Sequence, residues 1–218
     1  DLQNLLQAPV VESTGKMYPV EHIYTDSTDI FSLPESTSFV IKRALQEQKG
    51  DVLVFLPGEG EIKKCASLLQ NLSSDIEIHE LYGALPFNLQ QRAILPSSKG
   101  NRKVVLATSI AETSLTIEGI TVVVDCGYVR KQVFEPKSGL SKLETLPISM
   151  DSANQRAGRA GRLQPGVCYR MWNKAQQHQL QEFRKPEILE ADLASLALDL
   201  AQWGVANYLD MPWLTVPP

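Results

Sequence analysis

Three short runs with almost no polar alternation constrain this chain more than anything else in it. They are Val52-Leu-Val-Phe-Leu56 within residues 51–56, Val104-Val-Leu-Ala107 within 103–107, and Ile120-Thr-Val-Val-Val124 within 120–125. Apolar, β-branched runs of this length fit strands covered on both faces, as in a parallel sheet. Residues 20–24 and 166–171 read as further strands, and 76–81 alternates as one. Between them lie helical patterns. Residues 34–48 carry Phe39, Val40, Ala44 and Leu45 at helical spacing behind an initiating Pro34, and 59–72 and 86–95 are also helical. Strands alternating with helices predict an α/β fold, a parallel sheet sandwiched by helices.

Bulk properties narrow the function classes. The 218 residues suffice for one large or two small domains, and a net charge of −4 excludes a wholly basic nucleic-acid coat but not a local basic groove. Cys65, Cys126 and Cys168 are far apart and odd in number, which argues against a disulfide framework and for a reducing cytoplasm. His22, His79 and His178 are equally scattered, so no metal site is expected. No apolar run reaches membrane-spanning length, no signal peptide opens the chain, and no membrane partner is expected. Both ends read as interior to a longer protein.

Two stretches break the α/β rhythm. About 129–146, two strand-like runs flank the turn signal Glu135-Pro-Lys-Ser-Gly139, predicting an inserted β-hairpin made basic by Arg130, Lys131, Lys137 and Lys142. From Ala191, a long amphipathic helical pattern runs to Trp203 and stops at Gly204.

Two further runs carry chemistry. Gln155-Arg-Ala-Gly-Arg-Ala-Gly-Arg162, wound as a helix, puts Gln155, Arg159 and Arg162 on one stripe and Ala157, Ala160 and Gly161 opposite. Two guanidinium forks and an amide suit a phosphate group, and the small face suits close approach to a sheet. Arg156 lies about 100° off the stripe. Upstream, Ala107-Thr-Ser-Ile-Ala-Glu-Thr-Ser-Leu-Thr-Ile-Glu-Gly119 directly follows a strand, with hydroxyls at Thr108, Ser109, Thr113, Ser114 and Thr116 and free amides able to meet phosphates.

In order, the strand-loop Val52–Ile62, the turn Leu81-Tyr-Gly-Ala-Leu-Pro86, the hydroxyl run and the arginine run resemble motifs IV to VI of DEAH-box helicases of superfamily 2. Ser149-Met-Asp-Ser-Ala-Asn, Gly166-Val-Cys-Tyr-Arg170 and Phe183-Arg-Lys-Pro-Glu-Ile extend the resemblance, and the C-terminal stretch is most similar to the bacterial HrpB branch. The resemblance implies the second RecA-like domain of an ATP-dependent RNA helicase at 19–182, preceded by a segment (1–18) from the first motor domain and followed at 183–218 by the start of a truncated winged-helix region. It assigns Arg159 and Arg162 as arginine fingers and Gln155 to the γ-phosphate or attacking water. It places Glu118, Thr113 and Gly158 at the nucleotide, and Gly58, Gly83, Thr108, Ser109, Arg130 and Lys131 at the RNA backbone, with Thr113 inheriting a backbone contact as well.

The cofactor implied is ATP with Mg²⁺. A phosphate-binding P-loop, G-x-x-x-x-G-K-[ST], is missing: the one Gly-Lys pair, Gly15-Lys16, has Val10 and Met17 where Gly and Ser or Thr are needed. Mg²⁺ is then held mainly by the preceding RecA-like domain, a partner in cis, and the chain alone should be inactive. Two other readings compete: a DNA motor, since backbone-reading motifs do not choose between nucleic acids, and a stand-alone nucleic-acid or protein binding module.

Overall fold

The computed structural model describes residues 2–12, 17–26, 28–113 and 115–218. In chain order it forms α1 (Leu2–Leu6), β1 (Val20–Tyr24), α2 (Leu33–Glu47), β2 (Asp51–Phe55), α3 (Glu59–Leu68), β3 (Ile76–Leu81), α4 (Phe87–Ile94) and β4 (Arg102–Ala107). There follow β5 (Ile120–Asp125), β6 (Tyr128–Glu135), β7 (Leu140–Pro147), α5 (Met150–Ala157), β8 (Gly166–Arg170), α6 (Lys174–Gln177) and α7 (Ala194–Gln202). The chain divides into two units, Met17–Arg130 with Thr145–Arg184, and Asp1–Lys16 with Lys131–Glu144 and Lys185–Pro218.

The larger unit is built on a six-stranded sheet in the order β1-β8-β5-β2-β4-β3, every pair parallel. Strand periodicity explains why the apolar runs are unbroken. Val52, Val54, Val104, Leu106, Val122 and Val124 pack on one face with Ile41, Ala44 and Ile62 of α2 and α3. Leu53, Phe55, Val105, Ala107 and Val123 pack on the other with Ala93 of α4 and Ala157 of α5. Burying each such large side chain contributes about 1.5–3 kcal/mol. The helices α3, α4 and α5 have 10, 8 and 8 residues, shorter than the ~12–15 that persist alone in water, so the sheet holds them.

Register fixes where the strands end together. Tyr24 pairs with Arg170, Arg170 with Asp125, Asp125 with Phe55, Phe55 with Ala107, and Ala107 with Leu81. This row is the carboxyl edge of the sheet, where open α/β sheets carry their ligand sites.

The arginine run differs from its expected form. The α-helix ends at Ala157, and the amides of Arg159, Ala160 and Gly161 bond to the carbonyls of Arg156, Ala157 and Gly158. This i→i−3 winding has about three residues per turn rather than 3.6. Arg156, Arg159 and Arg162 therefore draw toward a common side. The small residues do permit close approach: a Cβ on Gly161 would stand 2.5 Å from the Tyr18 carbonyl oxygen, and the Tyr18 amide bonds to the Gly161 carbonyl at 2.9 Å.

In the smaller unit, Asp192 accepts a hydrogen bond from the Ala194 amide at the start of α7, and Gly204 follows its end at φ +81. The hairpin strands β6 and β7 pair as a two-stranded sheet, with base residues in the larger unit and the tip in the smaller.

Candidate functional site

A buried ionic cluster organises the carboxyl edge. Asp125, the last residue of β5, is fully buried. Its Oδ1 accepts from Arg156 Nη1 at 2.8 Å and from the Gly127 amide at 3.0 Å. Arg156, 1% exposed, also donates from Nε to Glu112 Oε2 at 3.1 Å and from Nη1 to the Tyr128 carbonyl at 3.2 Å. Its guanidinium carbon lies 4.9 Å from the centre of the Phe55 ring. Burial pushes the Arg156 pKa down, but Asp125, Cys126 and Glu112 more than offset it, and the guanidinium is held above its ordinary value.

Glu112 is the hub of the cluster. Its Oε1 accepts from Ser152 Oγ at 2.9 Å and Arg184 Nη2 at 2.6 Å, while its backbone carbonyl takes Arg159 Nε at 3.1 Å and also Arg159 Nη2. Arg159 Nη1 donates to the Leu115 carbonyl, leaving this arginine 7% exposed. Burial, then repulsion from Arg162, lowers the Arg159 pKa. Arg162 is exposed and donates to Thr116 Oγ1 at 2.6 Å. Gln155 is exposed, its Oε1 accepting from Arg184 Nη2 at 3.3 Å. All three arginines of the run thus reach one loop, Glu112–Thr116, which binds the run to the strand β4 that leads into it.

The other predicted residues are distributed as follows. Thr108 is half-buried, its amide bonded to the Leu81 carbonyl, and Ser109 is exposed at the start of a 3₁₀ turn, Ser109–Ala111. Thr113 and Glu118 are exposed, and Ser114, like Gly15 and Lys16, lies outside the described residues. Gly158 is buried against the Met17 methyl, with its amide bonded to the Asn154 carbonyl, so its N–H faces the helix rather than open solvent. Gly83 is exposed in open space. Gly58 is buried under Arg130, whose Nη2 is held by Glu61 at 2.8 Å and by Thr145 at 3.2 Å. Lys131 belongs to the smaller unit, where its amine stands 3.8 Å from Glu190.

The sequence reading missed Glu112, Asp125, Ser152 and Arg184. A signal existed for two of them. Glu112 is an acid amid hydroxyls, and Asp125 closes an apolar strand; a carboxylate in either place needs a cation once buried. Arg184 lies in Phe183-Arg-Lys-Pro-Glu-Ile, which extends the resemblance, but nothing in that stretch pairs it with Glu112; folding brings it there.

A six-stranded parallel sheet with a hydroxyl loop and an arginine turn joined at its carboxyl edge is a RecA-like domain of the helicase type. The chain belongs to the family described as the helicase conserved C-terminal domain, which matches residues 36–164. It is 45% identical over 217 residues to the ATP-dependent RNA helicase HrpB of Escherichia coli, covering 99% of this chain and 27% of that protein. It is 39% identical over 220 residues to the pre-mRNA-splicing factor ATP-dependent RNA helicase prp22 of Schizosaccharomyces pombe, covering 97% of this chain and 19% of that protein. Two crystal structures of the Escherichia coli HrpB protein superpose with TM-scores of 0.90 and 0.93 at 45% identity, over 100% of this chain and 27% and 28% of theirs. The chain thus spans about a fifth to about a quarter of the length of the curated relatives it matches.

Proposed function

We propose that this chain is the second motor domain of an ATP-dependent RNA helicase working in the cytoplasm. In this reading residues 1–18 lead in from the preceding RecA-like domain, 19–182 form the second domain, and 183–218 begin a winged-helix region. The observation that carries the reading is that Arg159 and Arg162 both reach the hydroxyl loop that follows β4, while Gln155 meets Arg184, which Glu112 of that loop holds. Relatives named as ATP-dependent RNA helicases support RNA over DNA as the nucleic acid.

The donor set fits a polyphosphate. Arg162 is exposed, and among the described residues its side chain bonds to a hydroxyl, Thr116 Oγ1; Gln155 is also exposed. In this reading Mg²⁺ is held mainly by the preceding domain, where the P-loop would sit. ATP when bound supplies the phosphoryl group, whose negative charge spreads over its oxygens in the transition state. Arg162 meets that charge with a fork already charged and oriented, and Gln155 adds a hydrogen bond. Arg159 joins it by giving up its loop carbonyls. Thr108, Ser109 and Thr113 bind the RNA backbone, with the exposed Gly83 allowing its close approach, whereas Gly58 is covered by Arg130. Arg130 and Lys131 add positive charge, and Glu118 contacts the ribose.

The test is Arg162→Ala in the full-length helicase. It lowers kcat by about 10³-fold, the scale of a lost arginine finger, and leaves RNA affinity without nucleotide unchanged. Near-normal ATPase with lost RNA binding would make the arginine turn an RNA contact instead.

A further inference from the structure

Arg184 lies outside both motif runs, yet its guanidinium enters the site. Nη2 is shared between Glu112 Oε1 at 2.6 Å and Gln155 Oε1 at 3.3 Å, and Nε stands 3.6 Å from Asp151 Oδ2. Its backbone neighbourhood is anchored to the same helix. The Gln181 and Glu182 carbonyls accept from the amides of Met150 and Asp151, the first residues of α5, at 2.8 and 3.1 Å. Two of the four amides that a helix start leaves unpaired are thereby satisfied, and Arg184 is carried two residues further along the chain.

The chemistry of the contact is directional. A guanidinium only donates, so the Gln155 atom facing it is the amide oxygen. Among the described residues the Gln155 NH₂ group has no partner, and it is turned away from Arg184. A glutamine without this partner rotates and offers a donor or an acceptor with equal ease.

We propose that Arg184 is a positioning residue that holds Gln155 with its NH₂ group presented, so that Gln155 acts as a hydrogen-bond donor to a terminal phosphate oxygen. This rests on the nucleotide site proposed above. Glu112 is the brace: its carboxylate holds Arg184 at 2.6 Å together with Ser152 at 2.9 Å and Arg156 at 3.1 Å.

The test is steady-state ATPase of the full-length helicase carrying single and paired substitutions. Arg184→Ala lowers kcat by about 10-fold, the scale of a misoriented group, and leaves KM for ATP within about twofold, because the contact matters in the transition state rather than in ground-state binding. Arg184→Lys keeps a cation on Glu112 and preserves folding, yet one ammonium cannot face Asp151 with one nitrogen and both Glu112 and Gln155 with another, as the rigid fork does through Nε and Nη2, so Gln155 is not held and kcat stays near the alanine value. The Gln155→Ala and Arg184→Ala losses do not add when combined, since one acts through the other.

Full rescue by lysine, additive losses, a raised KM at unchanged kcat, or normal kcat in Arg184→Ala beside a slowed Gln155→Ala each overturns the role of Arg184 alone. Normal kcat in Gln155→Ala removes the proposed role of Gln155 and this inference with it.

Discussion

Arg156 shows how a single side chain can be read two ways until its surroundings are known. From the run it is one of three arginines; in the fold it is the buried counter-charge of Asp125 and Glu112. Arg156→Met leaves two buried carboxylates without it and costs about 3–5 kcal/mol, measured as a lower urea midpoint of this chain at unchanged m-value. Lys103 is a second buried cation, fully buried, its amine donating to the Ala93 and Leu95 carbonyls at 3.0 and 2.6 Å. Burial lowers its pKa from the usual 10.5, with Asp51, Glu77 and Glu118 opposing. As pH rises from the lowered folded value toward 10.5, the unfolded chain still holds a proton that the folded chain has released. Stability gains from this group across that window. Denaturant titrations at successive alkaline pH values show that gain as a difference between the native chain and Lys103→Met; parallel curves would mean the amine keeps its proton.

At the scale of elements, the central strands needed no tertiary information, whereas the arginine turn did. Propensity and spacing point to an α-helix through Arg162, but the coil tightens after Ala157. Contacts decide this: Gly161 is pressed against the Tyr18 carbonyl, and Arg159 is drawn onto the carbonyls of Glu112 and Leu115. Gly161→Ala inserts a methyl at 2.5 Å from backbone, which cannot yield as a side-chain tip would. A loss of about 1–3 kcal/mol follows, typical of overpacking, visible as a lower thermal midpoint. Gly83→Ala, with nothing within 4 Å of the new methyl, serves as the silent control.

At the scale of the whole molecule, a nucleotide site needs more than this chain contains. No P-loop occurs in its sequence, so the 218-residue chain by itself hydrolyses no ATP above background, and sustained turnover by a clean preparation would contradict the proposed division of labour. On the proposed reading its binding to single-stranded RNA is weak because the net charge is −4, and log affinity falls by only about 0.7 per log unit of salt for each of the few phosphates contacted. Fluorescence anisotropy over a salt series reads this directly, and tight, salt-independent binding would not fit.

The apolar runs alternating with helical segments determined the parallel sheet, because strands such as Val52-Leu-Val-Phe-Leu56 that are apolar on both faces need cover on both, and the intervening helices supply it. The order of motifs likewise determined the family, and the small residues Ala157, Ala160 and Gly161 the packed side of the arginine turn. Only the tertiary structure decided which charges are buried against partners and which stay exposed. Arg156 and Arg162 share a run and a chemistry, but one faces Asp125 inside the protein and the other faces solvent. Arg184 is 72 residues from Glu112 in sequence and 2.6 Å from it in space. Periodicity reports which face a side chain takes along its own element; it carries no information about the partner that another element brings to meet it.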